Sequence, residues 1–324
     1  MKDIIFDSFQ NDVSESLLRH KSILDIITKY AESSCRINRA VAKSGVDLGG
    51  TNVRVAKVDE TGAILQIVKE PTEIGKGVEQ VVSKIISMIE RIEGYEAVAG
   101  IGMGVPGPVD TKNGKMILAT NLPGFEGYPI ASRIEEHFHV PTFLDNDVNV
   151  AGMGEALQGA GKGKDIVYYV TISTGIGGAL VVNQKVIAGR NGHAGEIANL
   201  IIDRNREKVN YLNVGAVENE ASGTAITRKG KAAFGEDAVQ HAGDVFDLAR
   251  KGNAKALEIC DAVAYDLAVM FSQIAHVVDP EVFVVGGGVM KGKDVFFDKM
   301  ENYFRNMIHK GMQTVVFKIG RAHV

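Results

Sequence analysis

An α/β fold of two related domains is what this sequence predicts, and three observations carry the prediction. One layout, strand then glycine turn then strand, occurs twice: once around Asp47-x-Gly49-Gly50-Thr51 and once around Ser173-Thr174-Gly175-Ile176-Gly177-Gly178. Apolar runs from Ala97 to Val105 and from Val282 to Val285 stop at glycine turns, in the manner of buried sheet strands. Helical stretches separate the strands, and Val78 to Ile92 places Val78, Val81, Val82, Ile85, Ile86 and Ile89 on one face. A layout that recurs in this way reads as two domains of one design facing each other.

The bulk properties set limits on partners. At 324 residues the chain has room for two domains of ordinary size. A net charge of −4 gives no overall pull toward nucleic acid or membrane. The two cysteines, Cys35 and Cys260, lie far apart and outside any C-x-x-C spacing, which fits a reduced compartment and argues against a thiolate zinc site. No apolar run reaches the ~18 residues of a membrane span, and the N-terminus lacks the layout of a signal peptide. A cytoplasmic location with no membrane partner is expected. Glycine is the outlier, 37 residues against 7 prolines, and it gathers in tight turns of the kind that bring backbone close to a ligand.

Taken in order, residues 1–43 are expected to form a basic helical arm. Between Leu17 and Lys43 stand six Lys/Arg and two Asp/Glu. Two short basic helices resemble the opening of a helix-turn-helix, but the chain then enters the next domain and leaves no residues for a recognition helix. An accessory arm packed on the body or on a second subunit is therefore expected, with DNA an unlikely partner. Domains are expected over 44–140 and 141–318. The last six residues, Ile319-Gly320-Arg321-Ala322-His323-Val324, resemble a translated sequencing-adapter oligonucleotide and are expected to be a non-native scar.

Between the two glycine turns, Leu144-Asp145-Asn146-Asp147-Val148-Asn149 stands at a strand-to-helix corner. Such a corner places polar groups at the carboxyl end of a sheet strand, where open α/β sheets bind ligands. The same residues also suit a plain helix cap, because Asn and Asp bond nearby backbone amides. Backbone N–H groups in the two glycine turns would make concave sites for phosphate, with Thr51 adding a hydroxyl. Gly286-Gly287-Gly288 ends a further strand. Neither a Walker loop nor a dinucleotide fingerprint is present.

Together these pieces carry a resemblance. Asp47-Leu48-Gly49-Gly50-Thr51, Gly102-x-Gly104-Val105-Pro106-Gly107-Pro108-Val109-Asp110, Asn121-Leu122-Pro123-Gly124-Phe125, Asn146-Asp147-Val148-Asn149, Ser173-Thr174-Gly175-x-Gly177-Gly178, Gly192-His193-Ala194-Gly195-Glu196-Ile197 and Glu218-x-x-Ala221-Ser222-Gly223 stand in the order seen in the ROK family of sugar kinases and sugar-responsive repressors. The resemblance runs from about Gly45 to Lys318. It implies the actin-like, RNase H-like ATPase fold, with ATP in a cleft between two domains and a hexose near the hinge.

Carried over residue by residue, Asp147 would be the general base toward a sugar hydroxyl, with Asn121, Asn146, Glu196 and Glu218 as sugar contacts. Asp47 would sit near Mg2+, through water. Gly49, Gly50, Thr51 and Asn52 would flank the phosphates on one side and Thr174, Gly175 and Gly177 on the other. Gly286, Gly287 and Gly288 would line the adenosine side. Asp145 and Asn149 are expected to be structural.

Several positions depart from the family pattern. Many members hold a structural zinc with one His and three Cys; those places are Asn199, Val209, Tyr211 and Ala216 here. All four ligands are replaced together, so a zinc-free branch is expected, with packing in place of the metal. Phe125 stands where Trp is more usual and is expected to keep an aromatic surface. The family's closing turn and helix have no counterpart after Lys318. The expectation is an ATP- and Mg2+-dependent kinase of a hexose such as glucose or an N-acyl hexosamine, N-acetylmannosamine for example, acting as a homodimer. The alternative is a ROK-type transcriptional regulator that senses a sugar and binds DNA.

Overall fold

The computed structural model describes residues 43–59, 64–119 and 121–320. The basic arm expected over 1–43 lies outside the described residues except for Lys43, which already belongs to the first strand.

In chain order the first half runs β1 (Lys43–Leu48), β2 (Asn52–Val58), β3 (Ile64–Pro71), α1 (Val78–Glu90), β4 (Ile101–Val105), β5 (Val109–Asp110), β6 (Lys115–Met116), α2 (Ile130–Phe138), β7 (Thr142–Asn146) and α3 (Asp147–Leu157). The second half runs β8 (Ile166–Ile172), β9 (Ile176–Val182), β10 (Lys185–Val186), α4 (Val217–Ala221), α5 (Gly223–Phe234), α6 (Ala242–Arg250), α7 (Ala254–Val278), β11 (Val282–Gly286), α8 (Phe297–Met307) and β12 (Val316–Ile319).

Two five-stranded sheets result, with orders β3-β2-β1-β4-β7 and β10-β9-β8-β11-β12. Position by position the two orders are the same. The glycine turns make β1–β2 and β8–β9 sequential neighbours, whereas the parallel pairs β1–β4, β4–β7, β8–β11 and β11–β12 need helical crossovers. The repeat expected from the two glycine turns therefore extends to whole sheets.

Each sheet is backed by the face that its helices bury. Along α1, Val81, Val82, Ile85, Met88 and Ile89 pack with Val46, Val53 and Val55 of the first sheet. Each such side chain contributes about 1.5–3 kcal/mol on burial. In the second sheet the rings of Phe271, Phe283, Phe304 and Phe317 meet at centroid separations of 5.0–6.0 Å, joining α7, β11, α8 and β12. No described helix is long and apolar enough to cross a membrane.

The chain divides into two compact units: residues up to Gly163 with Ala179–Ala194, and Lys164–Gly178 with Gly195 onward. The expected boundary at 140/141 falls elsewhere, and pairing explains the difference. Strand β7 lies beyond that boundary, yet it is hydrogen-bonded to β4 in the first sheet, and α3 packs on β4 and β7. Of the expected scar, Ile319 closes β12 and the Gly320 N–H donates to Val285 O at 2.9 Å; residues 321–324 lie outside the described residues.

Candidate active site

In the first unit the turn Gly49-Gly50-Thr51 leads β1 into β2, and the Gly49 N–H closes it on Asn52 O at 2.9 Å. Thr72, fully buried just after β3, holds the turn from outside. Its hydroxyl donates to Gly49 O at 2.6 Å and its N–H donates to Thr51 O at 2.9 Å. A trans peptide is planar, so fixing the Gly49 carbonyl aims the Gly50 N–H in the opposite direction, away from Thr72. A Cβ at position 50 would stand 2.8 Å from Asn121 O, so glycine is what lets the loop carrying exposed Asn121 approach. Asp47, nearly buried, accepts from Arg54 Nη1 at 2.7 Å.

The Asn146–Asp147 corner stands at the same end of this sheet. Asp47 is in register with Gly104, and Gly104 with Asp145, so Asp47 and Asp145 are two strands apart, about 10 Å at the backbone. Asn146 caps α3: its Oδ1 accepts from the N–H groups of Val148 and Asn149 at 2.9 and 3.1 Å. Its Nδ2 donates to Gly107 O at 2.9 Å, which leaves one Nδ2 hydrogen for a hydroxyl. The cap reading and the ligand reading of this corner thus apply to different atoms of one side chain. Asp147 is the first residue of α3 and accepts from the Val148 N–H at 2.9 Å. Asp145 is buried, and its Oδ1 takes the Asn146 N–H at 2.7 Å and Asn149 Nδ2 at 2.9 Å. Burial pushes the Asp145 carboxyl up to about 6, against the pull of those two hydrogen bonds.

The second unit repeats the glycine turn with a different holder. Ser173-Thr174-Gly175 connects β8 to β9, with the Ser173 N–H on Gly175 O at 2.8 Å. The segment from α4 into α5 grips it at three points. Glu218 Oε2 accepts the Ile176 N–H at 2.9 Å, the Gly223 N–H donates to Ser173 O at 2.7 Å, and the Thr224 hydroxyl donates to Thr174 O at 2.8 Å. A Cβ on Gly175 would stand 2.5 Å from the same Glu218 oxygen. Glu196 is exposed and follows Gly195, whose carbonyl accepts the Gly178 N–H at 3.0 Å.

Beside this turn lies a cavity of about 910 Å³. Thr174, Gly223, Thr224 and Gly288 line one side, Arg228, Lys231 and Lys291 add positive charge that Glu236, paired with Lys231 at 2.5 Å, offsets in part, and His241 and Phe246 stand among the other lining residues. Hydroxyls and cations in a cavity of that size suit an anionic, oxygen-rich ligand such as a nucleotide. Of the residues expected at the nucleotide, Thr174 and Gly288 line it; Gly175 and Gly287 stand in the adjoining turns, Gly177 lies in β9 and Gly286 ends β11, and none of these four lines the cavity. The three cations and Thr72 escaped sequence reasoning, since each reaches its place through tertiary packing. Asp47, Gly49, Gly50, Thr51, Asn52, Asn121, Asn146 and Asp147 lie in the first unit, and Glu196, Glu218 and the second glycine turn in the other.

Two expectations are revised. Phe125 is fully buried, edge-on to Tyr128, and so serves the core rather than an aromatic surface. In the zinc-type segment, polar bonds do the work expected of packing. Asn199 Oδ1 accepts the Asn213 N–H at 2.7 Å, and Asn210 Oδ1 accepts from the Leu212 N–H and Asn219 Nδ2, both at 2.9 Å. Val209 and Tyr211 face solvent and Ala216 is buried. Arg206 pairs within the segment with Asp203 at 3.0 Å and binds it to the helices through Glu220 at 3.4 Å and Asp266 at 3.0 Å. Burial raises the Asp266 carboxyl above its ordinary value, with Lys229 and Arg206 opposing. Among the described residues no group of three or more His, Cys, Asp and Glu is placed to hold a metal.

The model of the ROK family matches residues 43–324. This chain belongs to the ROK family. A glucokinase of Thermotoga maritima is 32% identical over 265 residues, covering 78% of this chain and 84% of that protein. A ROK hexokinase from Thermus thermophilus superposes with a TM-score of 0.77 at 29% identity, over 86% of this chain and 92% of that one. A ROK glucokinase from Streptomyces griseus, solved with glucose and AMPPNP, superposes at 0.71 with 27% identity, over 86% and 94%. The fold of this ROK protein is accordingly the actin-like ATPase fold expected from its motifs.

Proposed function

We propose that this ROK protein is an ATP-dependent hexose kinase, and the position of Asp147 carries the reading. A carboxylate heads a helix at the carboxyl edge of the first sheet, beside the helix-capping Asn146 and at the same edge as the Asp47 glycine turn. In the reaction, an Asp147 carboxylate oxygen takes the proton of a sugar hydroxyl as the hydroxyl oxygen bonds to the γ-phosphorus. The bond from the γ-phosphorus to the β–γ bridging oxygen breaks and ADP leaves. Little covalent work falls to the protein, so positioning governs the rate. Asn146, Asn121, Glu196 and Glu218 offer amide and carboxylate groups to sugar hydroxyls.

The hydroxyl- and cation-lined cavity of the second unit fits the nucleotide, and the similarity to a glucokinase that holds AMPPNP supports that assignment. Mg2+ arriving with the nucleotide would neutralise charge on its phosphates. Asp47 already pairs one carboxylate oxygen with Arg54, which fits holding the ion through water rather than directly. The similarity to the Thermotoga glucokinase supports a hexose as acceptor.

ATP turnover over a panel of hexoses and N-acyl hexosamines tests the reading. Turnover with one of them is expected, and Asp147→Asn is expected to lower kcat by about 10²–10⁴ while sugar binding persists. Absence of turnover with every sugar, together with a salt-sensitive DNA complex, would replace the kinase by a sugar-responsive regulator.

A further inference from the structure

Resting on the kinase reading, we infer that Glu218 has a second task beyond the sugar: it positions the phosphate-facing turn of the second unit. The sugar and nucleotide sites would then share one carboxylate. Its Oε2 accepts the Ile176 N–H at 2.9 Å, directly after Gly175. Glycine at 175 is matched to that contact, since a Cβ there would meet the same oxygen at 2.5 Å. The residues that follow Glu218 hold the rest of the turn, through Gly223 on Ser173 O and Thr224 on Thr174 O. Thr174, Gly223 and Thr224 are also walls of the cavity, so the turn's shape is the cavity's shape.

A carboxylate that only met sugar would have no reason to accept a backbone N–H of this turn. The helix that carries it is itself fixed. Glu220, two residues on, is bound by Arg206 at 3.4 Å and Lys229 at 3.1 Å, and Arg228 donates to Asn219 O at 2.5 Å. Glu218 is therefore a rigidly mounted positioning residue, with its effect on the nucleotide passing through the Ile176 peptide.

The test is the Kd of Mg2+–AMPPNP, measured by calorimetry with no sugar present, for the full chain, E218Q, E218A, G175A and the double variant G175A/E218A. Glutamine retains an acceptor oxygen, so E218Q is expected within about threefold of the parent, whereas E218A loses a charge-assisted hydrogen bond and weakens by about tenfold. G175A is expected to weaken binding as well, and to cost far less when Glu218 is already alanine, since its methyl acts by displacing that carboxylate. Unchanged or tighter binding by E218A overturns the inference and leaves the kinase reading intact, as do equal losses in E218Q and E218A. If the parent chain does not bind AMPPNP, the kinase reading falls and the inference with it. Melting temperatures of all five proteins separate a shifted turn from a damaged fold.

Discussion

The two glycine turns sit at equivalent places in sheets of one topology, yet they are held by different chemistry. Thr72, neutral and buried, grips Gly49 and Thr51 through a hydroxyl and a backbone N–H. The second turn is gripped by a charged side chain, Glu218, and by the backbone and hydroxyl groups of Gly223 and Thr224. Identical strand order therefore does not dictate an identical mounting. The first turn is fixed by its own sheet region, while the second depends on a segment that also carries a sugar-type carboxylate.

The sharpest way to break this comparison is to add the same methyl to both turns. In Gly50→Ala the methyl meets a backbone oxygen, Asn121 O, which has no rotamer to yield. In Gly175→Ala it meets the flexible end of Glu218. Overpacking against backbone costs about 1–3 kcal/mol, so Gly50→Ala is expected to be the more damaging, in melting temperature and in kcat/KM for ATP. Equal losses in the two variants would erase the difference between the two mountings.

A smaller effect is expected at the first holder. Thr72→Val removes the hydroxyl but keeps the backbone bond, leaving Gly49 O unpaired at a cost of about 1–3 kcal/mol. The KM for ATP should rise and the KM for sugar hold, and Thr72→Ser should restore the KM for ATP.

The smallest effect concerns Asp145, next to the corner. Its carboxyl titrates near 6 in the folded chain against an ordinary value of 3.8, so the folded state holds the proton more tightly than the unfolded state does. Stability contributed by this group is present below about 3.8, declines as pH rises toward about 6, and is lost above it. Asp145→Asn keeps the Oδ1 acceptor for Asn146 and Asn149 without that ionisation. The melting temperature of the variant relative to the parent should therefore rise between pH 4 and pH 7; a constant difference would refute the assignment.

Local pattern made much of this legible. The repeated glycine turn announced two like sheets, and the Asx corner announced a helix cap, which Asn146 supplies through Oδ1 while one Nδ2 hydrogen is left for the proposed sugar contact. What was hidden depends on pairing over distance. Strand β7 reads as the start of a new domain because nothing local marks β4 as its partner. Thr72 carries no motif, and Arg228, Lys231 and Lys291 become a group only when α5 and the Gly288 turn fold around one cavity. Phe125 misled because an aromatic residue in a Pro-Gly loop suits a surface as well as a core.

The segment from Asn199 to Glu218 has one more consequence. Its cross-links are amides and the Arg206 ion pairs, and the chain's two cysteines, Cys35 and Cys260, both lie outside it. From Asn199 to Glu218 the sequence has no Cys, His or Met, so this mounting of Glu218 offers no thiol or thioether to an oxidant and no thiolate or imidazole to a metal.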